Sequence, residues 1–101
     1  HPVAAPYRGL CDARASDATP AAARTIFFDR VHQPIHELAT ATATHDRAAA
    51  ARLLEAKEAV EHDFDQPTDA LPADLDQLAS VTQRAIVAAG YPSPPTCQEQ
   101  P

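Results

Sequence analysis

The 101 residues contain no methionine or tryptophan, two glycines and a single lysine. Each scarcity excludes something. Two glycines in the whole chain cannot build a glycine-rich loop that cradles phosphate. One lysine and seven scattered arginines stand against 14 acidic residues, for a net charge of −6 with the histidines neutral. Phosphate backbones and anionic membrane surfaces need clustered cations, so no nucleic-acid partner is expected. The longest apolar runs, such as Ala85-Ile86-Val87-Ala88-Ala89, are far too short to span a bilayer, and no membrane insertion is expected. No methionine opens the chain and no charged-then-apolar leader precedes His1, so processing or trimming ahead of His1 is expected.

Bulky apolar side chains are also few. Leu, Ile, Val, Phe and Tyr together number 20, while alanine supplies 23. Alanine favours helices whose backbones approach closely, but it makes a thin core. A chain this short with so little bulk calls for a covalent staple. Its two cysteines, Cys11 and Cys97, lie near opposite ends. No C-x-x-C occurs, which excludes a thioredoxin-type motif and a zinc knuckle. A Cys11–Cys97 disulfide is therefore expected. It would close a loop of more than eighty residues, worth roughly 4–5 kcal/mol in the chain-entropy account. Disulfides persist in oxidising compartments, so a secreted or otherwise extracytoplasmic chain is expected, its signal peptide already removed.

Strand signals are weak throughout, and three segments carry helical patterns. The expectation is one all-α domain over 1–101, a small antiparallel three-helix bundle, with a short fourth helix before Thr19 left open. Residues 1–18 read as an irregular leader, interrupted by Pro2, Pro6 and Gly9 and pinned by Cys11. The first helix is expected over 19–43, with Thr19 as cap and Pro20 at the first helical position. Arg24, Phe27, Phe28, Val31, Ile35, Leu38 and Thr42 recur at spacings of three and four and form its stripe. Pro34 lacks an amide proton and clashes with the carbonyl of Arg30, so a kink or break is expected there.

The second helix is expected over 45–64, with Ala49, Leu53, Ala56, Val60 and Phe64 turned inward. Glu55, Glu58 and His62 fall on the opposite face, and Lys57 and Glu61 are spaced to pair. The third is expected over 72–89. Leu75, Leu78, Val81, Thr82, Ala85, Ile86 and Ala89 line its inner side, and Gly90 with Pro92 signals a left-handed C-terminal cap. The tail 91–101 holds Pro92, Pro94, Pro95 and Pro101 and reads as irregular.

Five histidines are the chemical feature of the chain. His32 and His36 are four apart, and Asp29 precedes His32 by three. On one continuous helix the three would share a side, offering an oxygen and two nitrogens to a transition metal such as zinc, copper or iron. The segment His32-Gln33-Pro34-Ile35-His36 is not H-E-x-x-H, because Gln33 cannot act as a general base. Glu58 and His62 form a secondary pair, for which a simpler account is an ion pair beside the negative end of the second helix. His45 sits near the tip between the first two helices. His1, if it is a natural terminus, offers amine and imidazole to copper.

Haem is the alternative cofactor, with one axial histidine and an apolar slot from Phe27, Phe28, Phe64, Tyr7 or Tyr91. Neutral imidazoles bind metal, so affinity should fall below about pH 6. No serine lies in a nucleophile elbow, the acidic residues read as solvated, and no enzyme is expected. Two functions remain. The first is a secreted or cell-surface protein that binds a transition metal or haem through helix-borne histidines. The second is a ligand-free helical interaction module, a sensor or inhibitor, whose acidic face at Glu55 and Glu58 meets another extracytoplasmic protein.

Overall fold

The computed structural model describes residues 2–100, which form helices and connecting turns without a strand. Five α-helices follow in order: α1 (Ala5–Ala15), α2 (Pro20–Arg30), α3 (His32–Ala43), α4 (Arg47–Asp65) and α5 (Leu71–Ala88). Single 3-10 turns lie at Pro2–Ala4 and Cys97–Glu99.

Two differences from the expected bundle have local causes. The leader is helical. Pro6 stands in the first turn of α1, where a missing amide proton costs nothing, so it starts the helix rather than breaking it. Gly9 is retained for space. A Cβ there would lie 2.8 Å from a γ-methyl of the fully buried Val31, so glycine lets α1 approach the α2–α3 junction. Tyr7, Leu10 and Ala13 recur at a spacing of three and face the core. The net effect of Gly9→Ala is expected to be a loss of about 1 kcal/mol. Overpacking costs about 1–3 kcal/mol, and better helix propensity returns up to about 1. Thermal unfolding of the two proteins measures it, and an unchanged or higher midpoint would show that the junction yields freely.

The second difference concerns the long first helix, which is two helices. Val31 adopts φ −117°, ψ −45° between Arg30 and His32. The break falls three residues ahead of Pro34, because the proline ring conflicts with the turn that contains the Arg30 carbonyl. Pro34 itself is the third residue of α3, where an amide needs no helical partner. Thr19 occupies the cap position of α2 in extended conformation, although its side chain makes no capping bond.

The remaining helices lie within two residues of their expected bounds. Asp46 caps α4, its Oδ1 accepting from the Ala49 amide at 3.0 Å. At the end of α5, Gly90 takes φ +99°. The Gly90 amide donates to the Val87 carbonyl and the Tyr91 amide to Ile86, which makes the paired Schellman closure. Leu71, Leu75, Leu78, Val81, Thr82, Ala85 and Ile86 of α5 are all buried. They meet α1, α3 and α4. Thr42 joins α3 to α5 by donating its buried hydroxyl to the Ala85 carbonyl at 3.1 Å.

The disulfide joins Cys11 on α1 to Cys97, with Cα atoms 5.3 Å apart. Thr96 and Glu99 form a capping box around the 3-10 turn that carries Cys97. No described helix is long and apolar enough to cross a membrane.

Candidate metal centre

Along α2 and α3, residues 24, 28, 32 and 36 recur every four positions, and they stay neighbours across the break. The Arg24 guanidinium lies 4.9 Å from the centre of the Phe28 ring. The Phe28 ring is 5.5 Å from that of His32, and His32 is 5.0 Å from His36, the two imidazoles inclined at 74°. Arg24 and Phe28 were placed in the core stripe by their spacing. Both are exposed, Phe28 by 40%, while Ala23 and the fully buried Phe27 point inward. The buried stripe runs through Ala23, Phe27, Val31 and Ile35.

His32 is the oriented member of the pair. Its Nδ1 lies 2.7 Å from Glu61 Oε2 on α4. A carboxylate can only accept, so Nδ1 carries the proton; in the neutral ring the lone pair is then on Nε2. The other oxygen of Glu61 accepts from the Lys57 ammonium at 2.8 Å, the pairing its spacing predicts. Lys57 is buried, its side chain only 6% exposed. A buried ammonium is costly unless paired, so Glu61 is held by one cation and holds His32 in turn. This arrangement matches the way protein carboxylates orient metal-ligating histidines: the far nitrogen is fixed and the near one presented.

The other proposed ligands are placed differently. Asp29 is exposed on α2, on the far side of the break from both histidines. The three residues do not lie on one continuous helix. Among the described residues, no group of three or more His, Cys, Asp or Glu side chains is arranged to take one metal ion. His36 is exposed beside His32. Glu58 and His62 are exposed one turn apart on α4, away from the core. His45 is exposed in the turn ahead of α4, and His1 lies outside the described residues.

Of the aromatics offered for a haem slot, Phe27, Tyr7 and Phe64 pack in or against the core. Phe27 is fully buried and packs edge-on against Phe28 at 5.0 Å, with Phe64 5.6 Å away. Tyr7 is buried in the same core. A cavity of about 260 Å³ borders Phe64, Leu71 and Pro20, and no histidine lines it.

A second polar feature escaped the sequence altogether. The inward face of α4 contains Leu53, Lys57, Val60 and Asp63, whereas Ala56 and Phe64 are only partly buried. Asp63 was counted among solvated acids and is 93% buried, and its Oδ2 lacks a hydrogen-bond partner. Burial pushes its carboxyl up to about 6, and the neighbouring Asp74 carboxyl at the start of α5 adds to the rise. The nearby His62 acts in the opposite direction. The clue was positional: Asp63 follows Val60 by three and so belongs to the inner stripe.

Family models, curated proteins and solved structures were all compared with this chain, and none matches.

Proposed function

We propose that this chain is an extracytoplasmic binding protein for a borderline transition metal, taken up through the imidazoles of His32 and His36. One observation carries the proposal: Nδ1 of His32 is tied to Glu61 at 2.7 Å while its ring stands 5.0 Å from that of His36. Two imidazoles at this spacing suit zinc or copper(II), which favour nitrogen donors. Glu61 is a positioning residue rather than a ligand, since both its oxygens are engaged. The reading requires neither Asp29 nor haem. The disulfide supports an oxidising compartment. The role is binding rather than turnover.

Calorimetric titration of untagged protein with zinc and copper(II) tests this. Binding should disappear in the His32→Ala, His36→Ala double variant. It should weaken about 10–100-fold in Glu61→Gln, the usual cost of losing a carboxylate that orients a ligand. Affinity unchanged by the double variant would remove the site.

A further inference from the structure

We infer that the partner completing this site is a second copy of the same chain, so that one zinc ion joins two chains through four histidines. The inference rests on the metal-binding role proposed above and adds the source of the missing ligands. Zinc in a closed protein site takes four donors in tetrahedral arrangement. The described part of one chain brings two imidazoles together here and no third donor of the kinds that bind zinc. Glu61, the nearest carboxylate, is occupied by Lys57 and His32. Two identical bidentate patches related by a twofold axis supply four nitrogens, and a twofold interface uses the same patch on both partners.

The surroundings suit such a contact. His36 is exposed on α3, and the Phe28 ring, 40% exposed, stands 5.5 Å from His32. Across the axis this gives each copy an apolar surface to bury beside the ion. Lys57 pairs with Glu61, and Arg24, whose guanidinium lies 4.9 Å from the Phe28 ring, pairs with Asp65 at 3.4 Å, so both cations carry their own counter-charge. The chains as wholes do repel, with a net charge of −6 each. Association therefore depends on the cation: without zinc the chain is monomeric, and with it the pair closes.

The test is sedimentation equilibrium together with calorimetric titration of the untagged, disulfide-bonded chain. The probes are zinc chloride alone, then zinc chloride with excess EDTA. The expected result is a twofold rise in mass, complete at one zinc per two chains and reversed by EDTA. His36→Ala, at an exposed position, should keep the native helical circular dichroism and stay monomeric at every zinc concentration. His62→Ala should dimerise as the parent does. One zinc per chain with unchanged mass would overturn the dimer and leave the two-imidazole site standing. No zinc binding at all would overturn both. Dimerisation that survives His36→Ala, or that is lost in His62→Ala, would overturn the assignment of the ligands.

Discussion

Replacing both cysteines, Cys11→Ser with Cys97→Ser, is expected to lower stability by about 4–5 kcal/mol. The bridge spans 86 residues, and a closed loop of that length removes conformational freedom mainly from the unfolded chain. That is a large share of the roughly 5–15 kcal/mol available to a domain of this size. The core is thin, and nothing else in it compensates. Loss should not be uniform. Helix α1 buries Tyr7, Leu10 and Ala13 and keeps those contacts without the bridge. The tail depends more on the bridge. Beyond Cys97, Gln83 Nε2 of α5 holds it by donating to the Pro94 carbonyl at 3.1 Å. Urea unfolding followed by circular dichroism gives the size of the loss, and hydrogen exchange shows where protection goes first. A loss under about 1 kcal/mol would mean that the reduced, unfolded chain is already compact.

Asp63→Asn is expected to stabilise the protein at pH 7.5 by about 1–3 kcal/mol, and the gain should shrink toward zero near pH 4. The sign follows from linkage. The folded-state value, about 6, lies above the ordinary 3.8, so the folded chain binds a proton that the unfolded chain releases between these values. The favourable contribution is complete below pH 3.8 and is lost as pH rises through 6. At neutral pH the folded protein holds a buried carboxylate beside Asp74, close to the turn that joins α4 and α5. Asparagine carries no charge, and its amide can donate to Asp74 throughout the titration range. Urea unfolding of parent and variant at pH 7.5 and pH 4.5 reads the difference directly. An equal difference at both values would show that the effect comes from packing rather than from the charge.

Much of the chain is legible in its sequence. The Schellman closure follows from Gly90 standing just past a periodic apolar run, because only glycine takes φ +99° without strain. The start of α4 is legible to within two residues, expected at 45 and found at Arg47 behind its cap Asp46, and the Cys11–Cys97 pair follows from there being two cysteines in a chain short of core. The inner face of α5 is correct residue for residue from Leu75 to Ile86, since its large aliphatic groups leave one choice of side. The α4 stripe was less secure. Two of its five candidates, Ala49 and Ala56, are alanines, which bury little area either way. The true face turned toward Lys57 and Asp63, residue types that seldom lie inside.

What the order of residues decides by itself is local: helix caps, periodic faces, the proline conflict that interrupts the first helix, and the pairing of Lys57 with Glu61 four residues on. Each depends on groups within about one turn of each other, where covalent geometry leaves little freedom. Only the tertiary structure decided that α1 is a packed helix, because Gly9 gains its meaning from Val31 across the junction. Only packing brought Glu61 of α4 to His32 of α3, 29 residues apart, and Asp63 to Asp74 across a turn. Such contacts depend on how helices rotate about their axes, and in an alanine-rich chain the small side chains leave that rotation to be set by the whole core.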